Sequence, residues 1–241
     1  MPPVDPRQAR KEERKARREF WRELRRRHPK LRHALAADAR ITALYRGERA
    51  DFRSRLDTLA QILRLAWVSD AFFAQAMYRV KARAQALRIP IVPRIAHRLA
   101  MASAQVSIGD PVVIEPGVYI VHGQVVIDGL VEIGSGTQIF PWVTIGLKAG
   151  QPRGATIGRN VSIGTGAKVI GPVRIGDGAR VGANAVVVRD VPDGVTVVGV
   201  PAQVLAAPSL QEHAVVAEPA TADRSGKSVT KGTTREEQVE P

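Results

Sequence analysis

The sequence predicts a parallel β-solenoid behind an α-helical region, with a short polar tail after it. Three observations carry this. From residue 106 onward, aliphatic residues recur every six positions. Before residue 104, apolar residues fall three and four apart, the spacing of one helix face. The charge divides along the same line. Residues 1–100 hold 25 Lys and Arg against 10 Asp and Glu, residues 101–205 hold seven of each, and residues 206–241 hold four against six. The net charge of +13 therefore belongs to the helical region and not to the solenoid. The organisation that follows is a basic helical region over 1–104, a solenoid over 105–205, and a tail over 206–241. The tail is rich in Ser, Thr, Glu, Lys and Pro and is expected to be disordered.

Residues 6–28, "PRQARKEERKARREFWRELRRRH", are strong helix formers that alternate acid and base, with only Phe20, Trp21 and Leu24 to offer an apolar contact. They predict an exposed helix that packs weakly, or one that meets nucleic acid or an anionic membrane. Phe52, Leu56, Leu59, Leu63 and Ala66 fall three or four apart, which places them on one helix face. The stretch "SDAFFAQAMYRVKARAQALRI" opens on Ser69 or Asp70 as N-cap and stops before Pro90, and "VPRIAHRLAMASA" reads as one more short helix.

The six-residue period runs through Ile108, Ile114, Ile120, Ile127, Ile133, Ile139, Ile145, Ile157, Ile163, Val169, Ile175, Val181 and Val187. Four residues after most of these stands a small or β-branched residue, such as Val118, Thr137, Ala167 or Ala185. Six residues make one short strand and one tight corner, with the aliphatic inward. Three such units close a triangular coil of about 18 residues that stacks on its neighbours.

The period breaks twice. Ile120 to Ile127 is seven residues, and the extra one falls where His122, the only histidine of the solenoid, stands. Ile145 to Ile157 is twelve, with "GLKAGQPRGAT" between and Gln at position 151, so residues 146–156 read as a loop that replaces one strand and corner. Taking every third aliphatic then places 120, 139, 157 and 175 on one edge, with His122 and the end of the loop on the same side. A solenoid core wants aliphatics. A histidine outside it is either a neutral surface residue or a functional one.

Other chemistry is thin. The sequence has no cysteine, which removes disulfides, thiolate nucleophiles and Cys-bound metal. Its five His are scattered, so no metal site is expected. "GTGAK" (164–168) lacks the following helix of a phosphate loop, and the repeat already explains its glycines. With no apolar leader and no long uncharged apolar run, a cytoplasmic location is expected.

The repeat, "YRV" (78–80), "YIVHGQVVI" and the closing "GVPAQVL" together resemble the hexapeptide-repeat acyltransferases, and within them the serine O-acetyltransferase family. The resemblance covers roughly residues 65–206. It implies an all-β left-handed parallel β-helix, acetyl-CoA as cosubstrate, O-acetylation of L-serine on the way to cysteine, and a homotrimer assembled through the solenoids. It implies His122 as general base and Arg153 as the partner of a substrate carboxylate. Gly146, Thr165, Ala167, Lys168, Ala183, Ala185 and Arg189 are implied along the cofactor, with Lys168 and Arg189 toward its phosphates. The N–H of Gly146 or Gly123 would serve the oxyanion. The chain departs from the family in three places. Val121 stands where an Asp precedes the histidine, Gly154 replaces a second His, and Ala82 replaces a His after the Tyr-Arg pair. These departures leave O-acetylation of a sugar or surface polysaccharide open. A catalytically silent trimeric scaffold with a basic arm is the reading from another class.

Overall fold

The computed structural model describes residues 6–205; the tail expected at 206–241 lies outside the described residues. Five helices come first: α1 (Pro6–Arg27), α2 (Leu31–Tyr45), α3 (Arg55–Val68), α4 (Asp70–Ala86) and α5 (Val92–Ala104). Ser69 caps α4, its hydroxyl accepting from the Phe72 N–H at 3.3 Å, as its place before an apolar run predicts. Helix α1 is largely exposed, with Leu24 buried, Trp21 half-buried and Phe20 exposed. The face that the leucines share by spacing on α3 is mostly turned to solvent. Leu65 is the buried residue of that helix, while Leu56, Leu59 and Leu63 are exposed. Leu65 joins Ala39, Ala43, Phe52 and Phe72 in a small helical core. The spacing of the leucines identified a stripe but not which stripe the neighbouring helices cover.

The chain then coils into a prism with three parallel faces. The first face stacks β1 (Val106–Ile108), β4 (Val125–Ile127), β7 (Thr144–Gly146), β10 (Lys168–Ile170) and β13 (Val186–Val187). The second stacks β2 (Val113–Ile114), β5 (Leu130–Ile133), β8 (Arg153–Ile157) and β11 (Arg174–Ile175). The third stacks β3 (Tyr119–Ile120), β6 (Gln138–Ile139), β9 (Ser162–Ile163), β12 (Arg180–Val181) and β14 (Thr196–Val198), and β15 (Gln203–Val204) folds back antiparallel on β14. This is the left-handed β-helix that the resemblance implied. Every aliphatic of the six-residue period is at most 3% exposed. Thr137, the one polar inward residue, is satisfied: its hydroxyl donates to the Gly158 carbonyl at 3.0 Å and accepts from the Val161 N–H.

The second break in the period is corrected. Ile157 pairs with Ile133 and Ile175 on the second face, and Ile139 pairs with Ile163 on the third. The loop is therefore an insertion at the corner between β7 and β8, and no strand is replaced. Ala155, fully buried, takes the small inward place within β8. The edge expected to hold 120, 139, 157 and 175 in fact holds 120, 139, 163 and 181. A corner can swell without cost to the ladder, because each face is hydrogen-bonded to the coils before and after it and not along the chain.

The first coil has no coil before it. Its N–H groups at Gly109, Glu115 and Tyr119 donate into the second coil, so the trans peptides aim the carbonyls of Ile108, Ile114 and Val118 the other way. Helix α4 covers that open end. Gln75 Nε2 donates to the Val118 carbonyl at 2.8 Å, Tyr78 Oη to that of Val112 at 2.8 Å, and Arg79 to those of Ile114 and Glu115 at 2.5 and 2.8 Å; Lys81 reaches that of Ile108. Beneath these contacts Ala71, Ala74, Tyr78, Ala100 and Ala104 continue the solenoid core into α4 and α5. Asp38 of α2 completes the joint: it pairs with Arg79 and accepts from the Gly117 N–H.

His28 lies at this joint. Burial first, then the nearby Arg79, Lys81 and Arg27 charges, lower its pKa to about 4. The unfolded chain binds that proton near pH 6.5, so between pH 6.5 and 4 the unfolded state holds more protons and stability rises with pH. The melting temperature should therefore drop by a few degrees on going from pH 7 to 4. In His28→Gln the drop should be smaller, which differential scanning calorimetry will read. No helix among the described residues is long and apolar enough to cross a membrane.

Candidate active site

The corner between the third and first faces turns, in successive coils, through a residue of positive φ three places past the aliphatic: Trp142 (φ 65°), Gly166 (φ 74°) and Asn184 (φ 56°). In the first coil that residue is Gln124 (φ 52°), four places past Ile120. The extra residue thus lies between Ile120 and the turn, within Val121–His122–Gly123. It lifts His122 out of the wall, where the imidazole is exposed. Two contacts hold the swollen corner. The Gln124 N–H donates to the Ala104 carbonyl at 2.8 Å, at the end of α5. Gly123 presses against the same carbonyl, and a Cβ there would stand 2.2 Å from its oxygen.

That close approach makes a prediction. Gly123→Ala must push α5 away from the corner, at about 1–3 kcal/mol for an overpacked contact. Because His122 is the next residue, turnover should fall by more than the loss of stability explains. Melting curves and steady-state rates on the same preparation separate the two.

His122 opens into a cleft of about 260 Å³ between the corner and the helices. Its walls are Arg46 after α2, Ser69 and Asp70 at the start of α4, Ser103 at the end of α5, and Val121 to Gln124 of the corner. Tyr45 stacks on Tyr119 at 4.9 Å, one face against the other, and this anchors the end of α2 beside β3. The wall contributed by the helices was not read from the sequence. Its one legible sign was Ser69-Asp70 as a helix start, which says where a chain end points only once the helix is placed.

The other expected site residues fall around the first face. Thr165 and Ala183 are exposed on the same corner column as His122, two and three coils on. Lys168 lies on the face itself, in β10, with its ammonium donating to the Trp142 carbonyl at 2.6 Å. Gly146 closes β7 at the far border of the face, and Arg189 is exposed just beyond β13. Ala167 and Ala185 are fully buried, so their methyl groups serve the core. Arg153 begins β8 on the second face, in a separate cleft with Arg27, Leu130 and Glu132. Within one chain it does not reach His122. No group of three or more His, Cys, Asp or Glu side chains able to hold a metal occurs among the described residues.

Comparison with known proteins bears on this geometry. The family model "Bacterial transferase hexapeptide (six repeats)" matches residues 154–189. A Synechococcus elongatus serine acetyltransferase is 37% identical over 137 residues, 56% of this chain and 56% of that protein, so the chain spans little more than half its length. A serine acetyltransferase of Helicobacter pylori strain J99 is 37% identical over 131 residues, which are 53% of this chain and 77% of that protein. The chain belongs to the serine acetyltransferase family. Among solved structures, the serine acetyltransferase of Brucella abortus strain S19 superimposes with a TM-score of 0.58 at 26% identity, covering 72% of this chain and 68% of that one. In this chain Val121 precedes His122, and the helical region supplies Arg46 and Asp70 to the cleft.

Proposed function

We propose that the chain is an acetyl-CoA-dependent O-acetyltransferase that converts L-serine to O-acetylserine, the step that feeds cysteine synthesis. The observation that carries this is His122. In a member of the serine acetyltransferase family, the solenoid's one histidine is raised from the wall by an added residue and opens into a small polar cleft.

The chemistry follows from the groups present. Neutral His122 takes the proton of the acceptor hydroxyl as its oxygen attacks the thioester carbonyl. The tetrahedral oxyanion collapses, the carbon–sulfur bond breaks, and the imidazolium returns its proton to the leaving thiolate of CoA. With no cysteine in the sequence, the acetyl group passes directly between the two substrates. The N–H of Gly123, beside the base, is the nearer of the two expected oxyanion donors. Acetyl-CoA would lie along the first face, past Thr165, Ala183 and Lys168, with Gly146 and Arg189 at its far border. That face and its corner expose Val126, Trp142, Leu147 and Val188, an apolar surface of the kind a second copy would cover, in keeping with a trimer. In such a trimer Arg153 of one copy would be free to approach the site of another. A cytoplasmic enzyme with domains at 1–104 and 105–205 completes the reading.

The experiment is thiol release from acetyl-CoA on addition of L-serine, set beside a panel of sugars. Release with serine and not with sugars is the expected result. Release with a sugar alone would reassign the acceptor, and none with any acceptor would favour the scaffold.

A further inference from the structure

The cleft beside His122 carries two opposite charges that the transfer step does not use. Arg46 caps the C-terminal end of α2, and Asp70 opens α4. Arg46 donates through Nε to Glu48 at 2.8 Å, which steadies the stem and leaves both terminal nitrogens without a hydrogen-bond partner among the described residues. Asp70 makes no ion pair among the described residues. Both side chains are exposed to the cleft they line. A first-turn acid also suits the helix dipole, which accounts for Asp70 at that position. It does not account for an arginine from another helix and a histidine from the solenoid in the same small space.

The geometry points to a zwitterion clamp: Arg46 holds the α-carboxylate and Asp70 the α-ammonium of an amino-acid acceptor, so that its side-chain hydroxyl faces His122. This rests on the proposed acetylation of serine and names what reads the acceptor. A planar guanidinium with two free nitrogens suits a carboxylate, and a carboxylate suits an ammonium. A sugar carries neither charge, and neutral donors would serve its hydroxyls. The size agrees. At about 260 Å³ the cleft is smaller than the roughly 300–1,000 Å³ of sites for drug-sized ligands, and it fits an acceptor of a few heavy atoms. Three contacts around one stereocentre also select one enantiomer. Within the chain that supplies His122, Arg46 is the arginine in the cleft, and Arg153 could come to it only from a neighbouring copy.

The test uses the full chain, acetyl-CoA and three acceptors: L-serine, L-serinamide, which lacks the carboxylate charge, and 3-hydroxypropionate, which lacks the ammonium. The wild type should prefer serine to both. Arg46→Met should raise the KM for serine by about 10- to 100-fold, the worth of a charged hydrogen bond, with a much smaller change in kcat. It should abolish the preference over serinamide and keep the preference over 3-hydroxypropionate. Asp70→Asn should do the reverse, and Arg46→Lys should recover part of the loss. An unmoved KM for acetyl-CoA shows that the site is intact. If the wild type uses serine and both variants keep both preferences, the clamp is wrong and the serine reading stands. If the wild type acetylates sugars and ignores serine, both fall together.

Discussion

Replacing His122 with alanine should lower kcat by about 10²- to 10⁴-fold, the usual worth of a positioned general base, and leave the protein folded. The two halves of this expectation have separate grounds. The loss follows from the cleft, where the imidazole is the basic group nearest the corner that the added residue distorts. The retained fold follows from exposure. His122 is outside the core, and its side chain makes no hydrogen bond among the described residues. The corner is held instead by backbone, through the Gln124 N–H on the Ala104 carbonyl, and that bond survives the substitution. Thiol release and a melting curve on one preparation check both halves. A melting temperature within a degree or two of wild type with turnover gone assigns the residue to chemistry. Undiminished turnover would remove His122 from the mechanism. A parallel loss of both would mean that the corner needs the side chain for its shape.

His122 also shows how far the sequence could be read. The period and its two breaks are plain in the sequence, because a solenoid repeats a single local rule and any exception stands out. All thirteen aliphatics of the period proved to be inward. The loop does not share an edge with His122: it returns on the second face, and His122 stands between the third and first. Counting by threes assumed that twelve residues were two units. In the prism they are one unit and an insertion, a distinction set by which coil pairs with which. That is a long-range fact with no local trace. Ala167 and Ala185 repeat the lesson: small residues are needed both inside a corner and beside a ligand, and only the fold decides between them. The helical wall of the cleft was least legible. Arg46 follows α2 and Asp70 opens α4, and the two line one cleft only once both helices are placed against the solenoid.

That closure carries the other large effect. Arg79→Met should destabilise the protein by about 3–5 kcal/mol, the cost of breaking a buried ion pair by removing one member. For a chain of this size that is a fall of about 10 °C in melting temperature. Arg79 and Asp38 are almost wholly buried, and the pair is bound twice, Nε to Oδ2 at 2.9 Å and a terminal nitrogen to Oδ1 at 3.2 Å. The same guanidinium satisfies the Ile114 and Glu115 carbonyls, which point away from every other coil. Methionine can fill the space but serves none of these groups. Burial already raises the pKa of Asp38, and Arg79 opposes that rise. Without Arg79 the carboxyl should rise further and hold a proton when folded. A group with a raised folded pKa adds stability below its unfolded pKa and loses it as pH rises. The variant should therefore lose more, relative to wild type, at pH 7 than near pH 4. Asp38→Leu combined with Arg79→Met removes the orphaned charge and should recover part of the loss. It should not recover all of it, because the Gly117 N–H and two carbonyls stay unpaired. Urea unfolding of the wild type, both single variants and the double variant gives the coupling directly. A single-variant cost below about 1 kcal/mol would show that the pair is not what fastens the helices to the first coil. The cleft supplies the link to function. Its α4 wall begins at Ser69 and Asp70, so loosening α4 should raise the KM for the acceptor well below the melting temperature, while Lys168, Thr165 and Ala183 on the distant coils keep the KM for acetyl-CoA in place.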